Sequence, residues 1–258
     1  MNNIIDAHIH LDQFDLKTVE EYFNADNTLE FVIAVSTDLK SCMKNHRLLL
    51  SDSRVQPAFG FHPEQDIPSD QELENLLKWM DSHQDSMVAV GEVGLPYYRT
   101  ETLGKSHSTK EQYKEILETF ILHARRWNKP IVLHAIYEDA PSVCSLLEKH
   151  SIAKAHFHWF KGDTKTIERI ASNGHNISVT PDILYKQRTR DLVSVFPIGQ
   201  MMVETDGPWP FEGPFHGKQT HSMMIHESIK TIATIKQIPI KETYRRLYQN
   251  TSSFFSIG

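Results

Sequence analysis

The strongest constraint on this chain is a rhythm of short β-branched or apolar runs. They fall at Ile4 to His10, Phe31 to Thr37, Val55 to Phe61, Met87 to Val93, Pro130 to His134, Ala153 to Phe160, His175 to Val179 and Met201 to Thr205, eight in all. Between most of them lie helical patterns with recognisable starts. Ser69-Asp70-Gln71-Glu72 and Thr109-Lys110-Glu111-Gln112 both fit the capping box, in which two side chains satisfy each other's backbone donors. After the second, Ile116, Leu117, Phe120, Ile121, Ala124 and Trp127 follow at helical spacing, which predicts an amphipathic helix. Strand then helix, repeated, demands parallel pairing. Eight such units in 258 residues predict an α/β chain, a single (β/α)8 TIM barrel over residues 1–258. An open doubly wound sheet is the alternative, but no strand runs into a Gly-x-Gly-x-x-Gly turn, so its nucleotide-binding version has no support. No Gly/Ser linker, low-complexity tract or short repeat divides the chain. Two connections, Leu95 to Ser108 and Gly207 to Gln219, exceed the usual loop length and belong to the C-terminal face of a barrel, where catalytic groups collect.

Composition narrows the chemistry. Two cysteines, Cys42 and Cys144, support neither a disulfide framework nor a cysteine zinc site, whereas 15 histidines offer nitrogen ligands in abundance. Lys and Arg number 27 against 33 Asp and Glu, a formal charge of −6, which argues against coating nucleic acid by bulk charge and leaves room for a local cationic site. No apolar run approaches the roughly 18 residues of a membrane-spanning helix, and the chain opens Met1-Asn2-Asn3-Ile4 without a basic, apolar, cleavable segment. The expectation is a cytoplasmic protein with no membrane association and no obligate protein partner.

Candidate ligands gather at strand ends. Asp6-Ala7-His8-Ile9-His10 puts two imidazoles at i and i+2 of the first strand, so that His8 and His10 project to one face. Glu92 ends an apolar strand, and a carboxylate there needs a partner or a metal. His134 ends the fifth strand, His158 the sixth and Asp206 the eighth. Singly, each can be a hydrogen-bonded core histidine or an ion-paired acid. Together they offer four imidazoles and two carboxylates, more than one tetrahedral ion requires, which points to two divalent metal cations bridged by a carboxylate, with hydrolysis as the reaction class.

The ordered set of motifs resembles the TatD family of metal-dependent deoxyribonucleases, within the amidohydrolase-like superfamily of metal-bearing barrels. The resemblance rests on Asp6 to His10, Gly60-Phe61-His62-Pro63, Gly91-Glu92-Val93-Gly94-Leu95, Pro130 to His134, His158-Trp159-Phe160-Lys161-Gly162 and Glu204-Thr205-Asp206-Gly207-Pro208, and it runs from residue 6 to the region of Asn250. It implies a barrel of the metal-dependent hydrolase type, with His8, His10 and Asp206 on one metal, His134 and His158 on the other, and Glu92 bridging. Between His156 and His158, which share a strand face, the resemblance selects His158 as the ligand; His156 then lies deeper or supports the site. Glu92 and Asp206 become the catalytic residues, Asp206 with a second role as general base. The ion can be Zn, Mn, Mg, Ni, Co or Fe. The family makes a DNA end or short oligonucleotide the favoured substrate, with His62, Arg99, Trp209 and Lys161 as candidate substrate contacts. His62 can instead cap a turn, and Lys161, standing where the family commonly has a small hydroxyl residue, can instead be a solvated surface charge. Pro96 replaces the family's common Asp, which removes any metal or substrate contact made by that acid. Tyr97, Tyr98, Arg99, Trp209, Phe211, Phe215, His216 and Lys218 in the two long loops suit stacking on bases with cations on phosphate, or packing of the loops onto the barrel. Two rivals remain: an amidohydrolase or deacylase acting on a C–N or ester bond, such as an acyl-nucleotide or acyl-tRNA linkage, and a metal-binding protein without turnover.

Overall fold

The structure, a computed structural model, describes residues 2–99 and 107–258. Eight parallel strands pair each with the next in sequence order. They are β1 Ile4–Ile9, β2 Leu29–Val35, β3 Val55–Phe59, β4 Ala89–Gly94, β5 Ile131–His134, β6 Ala155–Phe157, β7 Asn176–Val179 and β8 Met201–Val203. The chain after β8 returns to β1: Asp206 N donates to His8 O at 2.9 Å, and His10 N donates to Gly207 O at 2.8 Å. The expected TIM barrel is therefore the fold. Around it lie α1 Leu16–Asn24, α2 Leu39–Ser51, α3 Asp70–Ser82, α4 His107–Arg126, α5 Ala140–Lys149, α6 Thr164–Ser172, α7 Gln187–Val195, α8 Met223–Lys236 and α9 Ile240–Phe255.

Local chemistry explains most boundaries. Ser69 caps α3 with both bonds of the capping box, Glu72 N to Ser69 Oγ at 3.3 Å and Ser69 N to Glu72 Oε2 at 2.8 Å. The second expected box fails, because α4 begins at His107 and Thr109 lies inside it. Leu117, Phe120, Ile121 and Ala124 of α4, and Trp127 just beyond its end, are nevertheless buried, as their spacing requires. Residues 100–106 of the long connection after β4 lie outside the described residues. β6 and β8 stop earlier than the apolar runs suggest. Trp159 and Asp206 adopt positive φ, 36° and 51°, and such backbone leaves the sheet.

The strands are buried on both faces, as in a barrel wrapped by helices. Inside, Ala7, Ile33, Val35, Ala58, Ala89, Val132 and Met202 pack with Phe254 and Phe255 from the end of α9, which plug the barrel. His156 lies against both of those rings, at 6.1 Å from each. Above that apolar layer the interior turns polar.

Register matters at two places. Between Asp6 and Ile9 β1 advances three residues while β2 advances two, and β4 does the same against β5 between Val90 and Val93. Such shifts re-aim side chains. Simple alternation would send Asp6 to the same face as His8; instead Asp6 accepts from Tyr22 Oη of α1 at 2.8 Å, while His8 faces Glu92. The other shift falls on Gly91 and Glu92 themselves.

Candidate active site

All six residues marked at strand ends meet at the C-terminal mouth, and Glu92 is the centre. Its Oε2 faces β1, 3.2 Å from His8 Nε2 and 3.4 Å from His10 Nε2, and Asp206 Oδ1 stands 3.5 Å from each of the same two nitrogens. Its Oε1 faces the opposite way, 2.8 Å from His158 Nε2 and 3.0 Å from His134 Nδ1. The carboxylate thus divides the cluster in two. His62 Nε2 joins the second half, 3.4 Å from Glu92 Oε1, while its Nδ1 accepts from Glu64 N at 3.1 Å. His62 therefore does both things expected of it in part: it caps the turn and turns its other nitrogen to the site.

Electrostatics sort these groups by charge. Burial pulls His8 well below the ordinary imidazole range and His10 down to about 4, leaving both neutral, the form that binds metal. Burial works against ionised Glu92, yet His158, His62 and His8 outweigh it and hold its carboxyl well below the usual range. His158 is the converse: burial opposes its charge, and Glu92 and Glu204 raise its pKa well above the ordinary value. Asp206 is pushed well up by burial, with Glu204 and Glu92 adding to it against His158. Of the two acids, Asp206 is the one short of positive charge.

The donor set fits a cation. His8 Nε2, Glu92 Oε2 and His134 Nε2 are buried without a hydrogen-bond partner among the described residues, an uncommon and costly state for polar atoms. Two donors each about 2.1 Å from a tetrahedral ion lie about 3.4 Å apart, which matches the separations around Glu92 Oε2. Among the described residues the groupings able to hold an ion are His8 with His10 and Glu92, His62 with Glu92 and His134, and His8 with His158 and Glu204.

Four supporting residues, Glu204, Ser178, Glu64 and Asp6, escaped the sequence reading. Glu204, fully buried, accepts from Ser178 Oγ at 2.6 Å and Trp159 N at 2.8 Å and lies 3.7 Å from His158 Nδ1, so it orients that ring. Ser178 Oγ also meets His156 Nε2 at 2.6 Å, which puts His156 beneath the cluster as a support. Glu64 accepts from Tyr98 N at 2.8 Å and Arg99 N at 2.7 Å while standing 3.3 Å from His134 Nε2, and so clamps the loop after β4 to the site. Asp6 accepts from Thr205 N at 2.9 Å, Thr205 Oγ1 at 2.5 Å and Tyr22 Oη, tying β1 to the segment after β8. The signal for Glu204 and Asp6 was their position inside the motifs, but nothing local to either names its partner.

The expected substrate contacts divide. Arg99 pairs with Asp66 rather than pointing freely at the mouth. Trp209 is 57% exposed with its ring 5.8 Å from that of Trp159. Phe211 and Phe215 are buried with Met224 and pack the last loop down, and His216 pairs with Glu212 at 2.6 Å. Lys161 is not the solvated surface charge that was the alternative: it is only 9% exposed, with Nζ 4.0 Å over the Trp159 ring.

A parallel eight-stranded barrel with imidazoles and buried carboxylates converging at its C-terminal mouth is the architecture of a metal-dependent hydrolase. The model of the TatD related DNase family matches residues 5–256, and the chain belongs to that family. An uncharacterized metal-dependent hydrolase of Haemophilus influenzae is 35% identical, over 98% of this chain and all of that protein. Human deoxyribonuclease TATDN3 is 25% identical, over 98% of this chain and 94% of its own length. The crystal structure of the Escherichia coli TatD homolog YjjV superposes with a TM-score of 0.87 at 24% identity, covering the whole of both chains.

Proposed function

We propose that this chain is a deoxyribonuclease that hydrolyses a phosphodiester bond at a DNA end, using two divalent cations that His8, His10, Asp206, His134 and His158 would hold together with Glu92. The observation that carries this reading is the split of the Glu92 carboxylate, one oxygen toward His8 and His10 and the other toward His134 and His158. Asp206 completes the first half, beside His8 and His10. When bound, such cations make water nucleophilic at neutral pH and polarise a phosphoryl oxygen. The protein's own groups do the rest. Glu92 fixes the spacing of the two halves, and Glu204 holds the His158 ring in place. Asp206, beside His8 and His10, would serve as the acceptor of the proton that the water loses. His62, with Nδ1 occupied by Glu64 N, presents Nε2 toward substrate oxygen. The ion is one of Zn, Mn, Mg, Ni, Co or Fe, and nitrogen-rich halves favour the softer members of that set over Mg. Residues 1–258 act as one barrel unit, in the cytoplasm.

The test is cleavage of a 3′-labelled single strand across defined metals, with Asp206→Asn as control and a panel of amides and lactones in parallel. Metal-dependent release of nucleotides by the native protein, lost in Asp206→Asn, is the expected result. Turnover of an amide or lactone with an intact strand would instead assign the chain to carbonyl chemistry.

A further inference from the structure

Lys161 has a position that the proposed hydrolysis does not by itself use. Its side chain is nine-tenths buried and lies on the face of Trp159, and among the described residues Nζ donates one hydrogen bond, to Tyr98 Oη at 3.1 Å. A buried cation ordinarily sits on a carboxylate, because desolvation is otherwise uncompensated. Here the acids on that side are engaged elsewhere: Asp182 accepts from Trp159 Nε1 and Thr189 Oγ1, both at 2.9 Å, and Glu204 from Ser178 and Trp159 N. A second cation approaches instead. Arg188 donates to Tyr137 Oη at 2.5 Å, and Tyr137 N donates to Lys161 O at 2.6 Å, so both cations border one aromatic rim. Neither has an acidic partner within ion-pair distance among the described residues. Burial, reinforced by the charge of Arg188, pulls the Lys161 amine down to about 8, and the more distant charges of Asp182, Asp206 and Glu204 offset this only in part. The rim adjoins the metal-capable cluster, since the Tyr98 ring that meets Lys161 also lies 6.2 Å from the His134 ring.

We propose that Lys161 and Arg188 form a phosphate subsite beside the Glu92 cluster, so that the preferred substrate carries a second phosphate next to the one attacked. The inference rests on the nuclease reading and gives it a substrate class, oligonucleotides with a phosphate neighbouring the scissile bond. Two cations meeting one phosphate across an aromatic wall make charge-assisted contacts, the strong kind. A net charge of −6 makes such local recruitment necessary.

The experiment compares a thymidine dinucleotide bearing a 5′ phosphate, a 3′ phosphate or neither, in the native protein and in Lys161→Met, Lys161→Arg and Arg188→Gln. In the native protein one phosphorylated form should have a KM at least tenfold below the unphosphorylated one. Lys161→Met should erase that advantage, bringing the KM ratio of unphosphorylated to phosphorylated dinucleotide to about one, and Lys161→Arg should restore it. A second readout needs no turnover: inorganic phosphate titrated calorimetrically into chelator-treated protein should bind native but neither Lys161→Met nor Arg188→Gln. Equal phosphate binding by native protein and Lys161→Met would overturn the subsite even if DNA is cleaved, as would a KM change common to all three dinucleotides. Loss of phosphate binding in the variants with no dinucleotide cleaved would sustain the subsite and sink the nuclease reading.

Discussion

Glu92 is surrounded by imidazoles on two sides, and its value lies in having two equivalent oxygens. Glu92→Gln keeps the shape but leaves one carbonyl oxygen, so only one half of the cluster retains an acceptor. The expected outcome is a fall in kcat/KM on the order of 10³ or more, about 4 kcal/mol of transition-state stabilisation, with metal content lowered and circular dichroism unchanged. Native turnover at full metal occupancy would show that Glu92 does not bridge. Lys161 gives a second residue-scale expectation. The folded protein gives up the Lys161 proton near pH 8, whereas the unfolded chain keeps it to the ordinary 10.5, so the burial cost is fully present below pH 8 and fades as pH rises toward 10.5. The contact with Trp159 recovers about 1–2 kcal/mol of that cost. Lys161→Met should therefore raise the melting temperature by roughly 2 °C at pH 7, with the gain shrinking by pH 10. A variant that melts lower at pH 7 would mean Lys161 is there for stability. The convergence of the candidate ligands His8, His10, Glu92, His134, His158 and Asp206 was legible because each falls at the end of an apolar run, a place where a polar residue needs a reason. Glu204, Glu64 and Asp6 were not, since their partners stand on other elements: Asp6 meets Thr205 from the far end of the chain.

At the scale of elements, the strand pattern was legible from apolar runs, but the two register shifts were not, because a shift is a property of a pair of strands and no single strand records it. They decide which side chains reach the mouth. Glycine supports the second shift by allowing β4 and β5 to approach closely. A Cβ at Gly94 would stand 1.9 Å from His134 O, and no rotamer change relieves a clash with neighbouring backbone. Gly94→Ala should thus cost about 3 kcal/mol or more and weaken metal binding as the end of β5 moves. At Gly199 a Cβ meets nothing within 4 Å, and Gly199→Ala serves as the neutral comparison. Urea midpoints read both, and equal midpoints would show that the β4–β5 spacing is looser than drawn. The failed box at Thr109 has a simple cause: a capping box needs its first residue outside the helix, and α4 begins earlier than Thr109, at His107.

For the molecule as a whole, closure and chemistry occupy the same place. The backbone bonds that return the chain to β1 run from Asp206 to His8 and from His10 to Gly207, so three candidate ligands belong to the seam of the barrel. An ion bound there would therefore stabilise the seam as well as the site. Without one, Glu92 Oε2 and several buried nitrogens stand unsatisfied beside a buried Asp206, and the folded state carries that cost. Binding to the folded chain alone adds about 2.7 kcal/mol at a hundredfold excess over Kd, which for a protein of this size is about 5–10 °C in melting temperature. Chelator-treated protein should accordingly melt lower than the same protein given Mn or Zn, by that margin. Glu92→Gln should lose most of the difference, because its remaining oxygen serves one half only, whereas Lys161→Met, outside the cluster, should keep it. A melting temperature indifferent to chelator and to either ion would mean that His8, His10 and Asp206 close the barrel by hydrogen bonding among themselves, and the hydrolase would have to hold its metal with other residues.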